Sequence, residues 1–432
     1  MNLSEKKQNN IFIILICLIA STIIFREFST GLIILFALFN VFFLKKTHFK
    51  KRDIVFILII ASPFLLDILF FWNNDSFFLG LKSAEKRFSL ILFPIILVGH
   101  YKKINLKMLL KCYVLITTIL LTILFCRYII LNTNDFLKYA NGIDLWEIGY
   151  HFANSFGTHA PALNMHVSFA ALAALYMLLK DSKHYYFLLY LILFFFVLYI
   201  NTRIAIVNCI VCSLLILVLE FFKKKKQLKE IFKGILVLGV ALFICLSLFT
   251  LAFPRVIEKF TTDSFSNMDK IGRIDELEKP ETKHGSLVMR LSIWKASLEL
   301  AKENLWIGYG ASDSKRELVN YFEKTNQKHL AKWKFPVHNQ YIDFLLKFGI
   351  FGSIVVIVFV LFIGYLGLKL ESSIIICFFI IFFVSNLTDD FLIRYDGIIF
   401  SGFWASIFAN QLKFKLIEKN KNSTCSSFNR WC

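Results

Sequence analysis

Residues 349–368 read GIFGSIVVIVFVLFIGYLGL, a stretch without a charged side chain. A membrane-spanning helix needs about 20 mainly apolar residues, because the hydrocarbon core is about 30 Å thick and an α-helix rises about 1.5 Å per residue. The 432-residue chain continues this pattern, with 57% hydrophobic and 18% charged residues. Soluble domains carry about 45–50% apolar residues, and 50 Phe exclude a disordered chain. The composition predicts an all-α polytopic membrane protein.

Apolar runs between polar breaks predict about twelve transmembrane helices. We place them approximately at 11–25, 29–44, 54–72, 88–101, 108–131, 165–179, 185–200, 204–222, 234–253, 341–368, 372–388 and 397–412. The long connections then divide the chain into four parts. These are an N-terminal bundle of about nine spans (1–253) with an outer loop at 132–164, an outer helical domain (254–340), three C-terminal spans (341–412) and an inner tail (413–432).

Lysine and arginine set the predicted orientation, since cytoplasmic loops carry an excess of both. Alternate segments, including both termini, hold 24 basic and six acidic residues, so they account for +18 of the net charge of +19. We therefore expect both termini in the cytoplasm and an even number of spans in a bacterial cytoplasmic (inner) membrane. The high basic content follows topology, and nucleic-acid binding is not expected.

The outer domain is predicted to contain two helices, at about 287–303 and 312–331. In the first helix, apolar residues recur at three- and four-residue spacing, which is typical of an amphipathic helix. This stripe consists of Val288, Leu291, Trp294 and Leu298. A connection of this length is usually functional or disordered, and its helical pattern and tryptophans favour a folded domain resting on the membrane.

Three basic groups on the outer side are candidate catalytic residues: Arg203 before a span, Arg290 one helical turn before Trp294, and His338 where the outer domain re-enters the membrane. Two guanidinium groups can bind a diphosphate bidentately and stay charged at any relevant pH. Histidine can take a proton from a hydroxyl near neutral pH. Ordinary structural roles stay open for each one: an interfacial anchor, a solvated charge and a helix cap.

Other polar clusters on the outer side are interpreted more simply. Asp389, Asp390, Arg394 and Asp396 follow a span and are interpreted as a solvated loop with internal ion pairs, with an acceptor-facing role as the alternative. The histidines of the first outer loop are spaced by eight and seven residues and have no cysteine near them, so we expect no metal site. These histidines are His151, His159 and His166.

The stretch from Met289 to Leu366 resembles the shared module of the O-antigen ligase and O-antigen polymerase family. The matching pattern is Arg290-x3-Trp294, Asn304-x3-Gly308-x-Gly310, Val337-His338-Asn339-x-Tyr341-Ile342 and Gly349-x2-Gly352. Thr202-Arg203 is similar to the family's Thr/Ser-Arg signature before a span, although the usual Gly-Ser is absent. The family also has about a dozen spans and a large outer loop between late helices.

The resemblance implies an inverting glycosyltransferase of GT-C-like architecture that uses a glycan linked to undecaprenyl diphosphate, with no cofactor. Arg203 and Arg290 would hold the diphosphate and His338 would activate the acceptor hydroxyl. The implied substrate-binding residues are Asn339, Trp294, Tyr341, Gly308 and Gly310. The implied partners are the lipid-linked donor, a lipid A-core or other glycan acceptor, and membrane lipids.

The sequence leaves several functions open within and beyond this family. A ligase is favoured over a polymerase that joins lipid-linked repeats, and a protein O-glycosylation ligase is a third possibility. A flippase or transporter of lipid-linked oligosaccharides would also have about twelve spans. Such a protein should carry charged residues at the membrane midplane and two related halves, and the sequence displays neither.

Overall fold

The computed structural model describes residues 4–43, 49–140, 148–253, 267–277 and 286–428. These residues form eighteen α-helices and no strand. The helices are α1 Glu5–Thr22, α2 Arg26–Phe43, α3 Lys51–Leu69, α4 Phe77–Arg87, α5 Ser89–Gly99, α6 Leu106–Leu131, α7 Thr133–Ala140, α8 Ile148–Asn154, α9 Ala160–Asp181, α10 Tyr185–Ile200, α11 Arg203–Lys223, α12 Leu228–Ala252, α13 Leu287–Glu303, α14 Ser314–Lys324, α15 Lys328–Trp333, α16 Gln340–Leu370, α17 Ser373–Thr388 and α18 Tyr395–Phe428.

Each of the twelve predicted apolar segments overlaps one of these helices. Five helices in the described part of the chain, α6, α9, α11, α12 and α16, are long and apolar enough to cross a membrane. Two further apolar helices, α10 and α17, are shorter. The all-helical class and the membrane character are therefore confirmed. The count of twelve spans, the GT-C-like likeness, the orientation and the four-part division stay predictions.

Helix α9 lies at the centre of the bundle, where it packs against α6, α10, α11 and α17. Its sequence ALAAL at 171–175 carries small side chains, which allow neighbouring helices to approach closely. Most of α9 is buried, whereas most of α12 is exposed. The exposed apolar side chains of α12 suit contact with lipid, whereas α9 is enclosed by other helices of the protein.

The outer domain has its own apolar core, built mainly by α13, α14 and α15. Helix α13 matches its predicted bounds, but the second predicted helix is two, because Asn326 takes a left-handed backbone angle (φ 55°) between α14 and α15. The predicted stripe on α13 is only partly correct. Leu298 is exposed, and Ile293 and Ala296 are buried instead, since the helix packs one residue around from the predicted face. Residues 254–266 and 278–285 of this domain lie outside the described residues.

A break in α16 anchors the outer domain to the membrane helices. Gly349 has a non-helical backbone (φ 63°, ψ −156°) inside α16, and the turn after α13 docks against it. A Cβ at Gly349 would lie 2.2 Å from the carbonyl oxygen of Trp306, and one at Gly308 would lie 2.6 Å from the Gly349 nitrogen. Only glycine fits on either side of this contact, which gives a structural reason for Gly308 and Gly349 in the sequence pattern.

A buried ion pair fixes the loop between α17 and α18. The Arg87 guanidinium donates to both carboxylate oxygens of Asp67 at 2.6 Å, and its Nε donates to the Leu392 carbonyl oxygen at 2.9 Å. From the other side, the Leu392 amide donates to the Gln340 side chain at 2.5 Å. The loop is therefore held against α3, α4 and the start of α16.

Candidate active site

His338 lies between the outer domain and α16 and has a left-handed backbone, with φ 53°. This conformation costs a non-glycine residue about 1 kcal/mol or more and is concentrated at functional sites. Two flanking contacts hold it. The Trp294 indole donates to the Val337 carbonyl oxygen at 3.0 Å, and the Asn339 side chain caps α16 by accepting from the Tyr341 and Ile342 amides. The backbone from which the imidazole extends is therefore held on both sides.

The partner of His338 is Asp389, the residue that follows α17. The His338 Nδ1 lies 3.4 Å from a carboxylate oxygen of Asp389, and the two side chains are 26% and 8% exposed. Because a carboxylate only accepts, this contact assigns the proton to Nδ1. The Nε2 atom is then the one that can accept a further proton. Catalytic hydrogen bonds are often long before substrate binds.

Asp389 and Asp390 differ in protonation although they are adjacent. Burial raises the pKa of Asp389, but the hydrogen bonds from His338 and Asp390, with His159 and Arg394 nearby, outweigh it and hold the pKa well below its usual range. Burial and the Asp389 charge raise the pKa of Asp390 well above its usual range. These opposite directions favour the negative charge on Asp389, the residue that faces His338.

Arg290 reaches the same turn from α13. Its guanidinium donates to the carbonyl oxygen of Thr388, the residue before Asp389. Arg203, the first residue of α11, interacts electrostatically with Arg290, and both side chains are half-buried. Two like charges held near each other favour an anion between them. The structure thus brings Arg290 and His338 to one turn and places Arg203 within electrostatic range of Arg290.

His159 joins this group from the N-terminal end of α9. Its Nδ1 lies 3.9 Å from a carboxylate oxygen of Asp389. Burial and the Arg394 guanidinium lower the pKa of His159 to about 4, against the opposing effect of Asp389. His159 is therefore uncharged at neutral pH, and it contributes shape and hydrogen-bonding capacity to the site.

One stretch of the chain, which includes part of this site, matches a known protein family. Residues 188–357 match the family model described as O-antigen ligase. This match to an O-antigen ligase domain covers less than half of the chain, and it confirms the resemblance to the O-antigen ligase and polymerase family. No curated protein matches the chain significantly. The domain supports a glycan-transferring function of the ligase or polymerase type in a membrane protein.

The stretch that matches the O-antigen ligase model does not contain the whole site. It includes Arg203, Arg290 and His338, whereas Asp389 and His159 lie outside the matched residues. These two side chains complete the surroundings of the imidazole from α17 and α9. The sequence offered a signal for Asp389 only, which is the pair of adjacent acids that follows an apolar span.

The interpretation of the loop after α17 as solvated is wrong. Asp389 and Asp390 are buried, and neither Asp390 carboxylate oxygen has a hydrogen-bond partner among the described residues. The physical reason is the anchoring of Leu392 by Arg87 and by the amide side chain at the start of α16, which draws the loop beneath the outer domain. The charges of Asp389 and Asp390 predicted exposed side chains, and these long-range contacts bury them instead.

His338, Asp389 and Asp390 also form a group that could hold a cation. One potential ligand atom from each lies within 4.8 Å of the others, so the expectation of no metal site needs a direct test. Against a cation stands the charge of the surroundings. Arg290 contacts the adjacent backbone, and Arg394 lies 4.0 Å from Asp390.

The implied substrate-binding residues have defined structural contacts. Asn339 caps α16, Trp294 holds Val337, and the Tyr341 hydroxyl donates to the Phe383 carbonyl oxygen at 3.3 Å. Gly308 and Gly310 belong to the turn docked on α16, where the Gly310 amide donates to the Lys347 carbonyl oxygen. These contacts position the site. A direct contact of any of the five with substrate stays a prediction.

Proposed function

We propose that the protein transfers a glycan from undecaprenyl diphosphate to a lipid A-core acceptor at the periplasmic face of the bacterial inner membrane. The observation that supports this most strongly is the meeting of Arg290 and His338 at the Thr388–Asp389 turn. It joins a cation suited to a diphosphate with a base suited to a hydroxyl. The O-antigen ligase domain supplies the class of reaction.

In the proposed reaction, His338 Nε2 takes the proton of the acceptor hydroxyl. The hydroxyl oxygen attacks the anomeric carbon of the donor sugar, and the bond from that carbon to the diphosphate breaks. The diphosphate leaves with the bonding electrons and is bound by Arg203 and Arg290. A single direct displacement inverts the anomeric configuration. Asp389 stabilises the imidazolium that forms.

The proposal assigns charge stabilisation to guanidinium groups and expects no requirement for a metal. The test is transfer by purified protein after exhaustive treatment with a chelator. Unchanged transfer is expected. Loss with the chelator and restoration by a divalent cation would instead assign His338, Asp389 and Asp390 to metal binding and would overturn the proton-transfer role.

The most informative experiment is deletion of the gene followed by a gel of the surface glycolipid. A ligase predicts loss of all long chains from the core together with accumulation of lipid-linked polymer. Core that carries a single repeat would indicate a polymerase instead, and unchanged glycolipid would contradict both. A polymerase and a protein O-glycosylation ligase are the alternatives within the family.

Complementation of that deletion tests the site. Arg290→Ala should fail to restore long chains while the protein still inserts in the membrane, since removing one charge-stabilising contact costs about 10²–10³-fold in rate. The matched control is Arg273→Ala, which removes an exposed guanidinium from the same outer domain. Normal glycolipid with Arg290→Ala would remove the diphosphate assignment.

The predicted orientation has an independent test. Gln327, at the start of α15, belongs to the outer domain, so an alkaline phosphatase fusion at this residue should be active. An inactive fusion at full expression would place the domain in the cytoplasm and would contradict a periplasmic reaction.

A further inference from the structure

A cavity of about 360 Å³ lies beside the candidate active site. It is lined by α4, by the start of α14 and by the first turns of α16. Val337 and Asp390 form part of its wall, and these two residues directly neighbour His338 and Asp389. The residues assigned to the diphosphate, Arg203 and Arg290, do not line it. The cavity is therefore a second compartment next to the proposed base.

The lining of this cavity is strongly basic. It carries five cationic side chains, Lys82, Lys86, Arg87, Lys315 and Lys347. Two of them are neutralised, since Arg87 pairs with Asp67 and Lys347 pairs with Asp343, each at 2.6 Å.

The other three are Lys82, Lys86 and Lys315. Across the described residues none of these three has a carboxylate within 4.0 Å. Within the described part of the chain, no ion pair therefore offsets their positive charge.

The helix that lines one side of the cavity also carries exposed apolar side chains. On α4, Phe77 and Phe78 are 65% and 79% exposed, and Leu79, which lines the cavity, is also exposed. One short helix thus carries exposed large apolar side chains in its first turn and two lysines further along. This combination fits a ligand with a negatively charged headgroup and a hydrocarbon chain better than a soluble anion, because binding at a membrane surface combines buried apolar area with electrostatic attraction.

We propose that this cavity binds a phosphate-bearing headgroup of the lipid acceptor, held by Lys82, Lys86 and Lys315. The inference rests on the proposed function, since it names the side from which the acceptor reaches the base. In this arrangement, the donor diphosphate lies at Arg203 and Arg290, the acceptor phosphate lies beyond Asp390, and the reacting hydroxyl meets His338 between the two.

The first test measures binding without turnover, through the rate at which lysines are acylated. The protein is placed in phosphatidylcholine nanodiscs, alone, with a minor fraction of phosphatidic acid, or with inorganic phosphate. Phosphatidic acid should slow acylation of the three cavity lysines about threefold or more at high occupancy. Lys302, Lys324 and Lys328, which are exposed on the outer domain and lie outside the cavity, should not change.

Each other outcome contradicts the proposal. Equal slowing of the three control lysines would mean general accumulation of anionic lipid. Protection by inorganic phosphate as strong as that by phosphatidic acid would assign a soluble anion. An absence of protection by either probe would leave the cavity without a phosphate-binding role.

The second test is the transfer reaction with the triple variant Lys82→Gln, Lys86→Gln and Lys315→Gln. The KM for the acceptor should rise about tenfold, as expected for lost hydrogen bonds to a charged group, while the KM for the donor stays unchanged. The matched control carries Lys302→Gln, Lys324→Gln and Lys328→Gln, with the same loss of charge.

A rise in the donor KM instead would place the diphosphate in this cavity and overturn the acceptor assignment. Unchanged kinetics in the triple variant of an active protein would refute the inference alone. If His338→Ala transferred normally, the proposed function would fail while lysine protection still measured phosphate binding. The two failures are therefore distinguishable.

Discussion

The surroundings of His338 and the lysine cavity differ in how the protein treats charge. Around His338, the charged groups contact one another or the backbone: Asp389 faces the imidazole, and Arg290 donates to the Thr388 carbonyl oxygen. In the cavity, Lys82 and Lys86 are exposed and have no carboxylate oxygen within 4.0 Å in the described part of the chain. Charges fixed by other groups keep a defined geometry, which catalysis needs. Uncompensated charges attract an external anion, which binding needs.

Replacement of the imidazole should give the largest difference between the two regions, because it affects transfer and not phosphate binding. His338→Ala should lower glycan transfer about 10²–10⁴-fold, the usual contribution of a positioned base, while phosphate-dependent protection of the cavity lysines persists. His184→Ala, on an exposed histidine that precedes α10, is the control for expression. Normal transfer by a well-expressed His338→Ala protein would end the comparison, because the first region would not be catalytic.

The two adjacent aspartates should differ in the same assay. Asp389→Asn should lower kcat about 10²-fold or more because the imidazolium loses its carboxylate, with the donor KM nearly unchanged. Asp390→Asn should change kcat by no more than a few-fold, since Asp390 is already uncharged. Equal and large losses in both variants, together with inactivation by a chelator, would point to a shared cation.

The indole contact that positions the histidine should have a smaller effect. Trp294→Phe keeps the aromatic ring but removes the hydrogen bond to the Val337 carbonyl oxygen. We expect kcat to fall about five- to tenfold, as for a net hydrogen bond of about 1 kcal/mol. Trp306→Phe, at an exposed position of the same domain, is the matched control. Equal kcat values in the two variants would show that Val337 needs no such support.

The smallest predicted effect concerns stability at acidic pH. The pKa of His159 is about 4 in the folded protein and about 6.5 when unfolded. The unfolded state therefore binds a proton first as the pH falls, and stability is lost below about pH 6.5. From about pH 7 to about pH 5, the wild type should lose about 1–2 kcal/mol more than His159→Gln. Parallel melting curves of the two proteins would contradict the burial of His159.

The sequence predicted much of this molecule from local chemistry. Each apolar segment lies on a helix, because a run of about 20 apolar residues has few other ways to satisfy its backbone in lipid. The bounds of α13 followed from its pattern and its Gly308 turn. His338 and Arg290 were found as polar residues on the predicted outer side, and both lie in the stretch that matches the O-antigen ligase model.

The errors share one cause, which is contact between residues far apart in sequence. Asp389 and Asp390 carry charge and were interpreted as solvated, but a loop contact with Arg87, about three hundred residues earlier in the chain, draws them into the protein. The face of α13 that packs inward is set by its contacts with α14 and α15. The helical period alone predicted a face that is shifted by one residue. The lysine cavity likewise joins α4 to α14, and no local pattern connects them.

The amino-acid sequence by itself determined the helical membrane fold, and it pointed to His338 as the proposed base and to Arg290 as the arginine nearest to it. These depend on hydrophobic length, helical period and side-chain chemistry, which are properties of neighbouring residues. Only the tertiary structure decided that Asp389 is the partner of His338, that His159 is uncharged beside it, and that three lysines share a cavity. These depend on burial and on distances between separate helices, because the charge state of a group follows from the groups that fold around it.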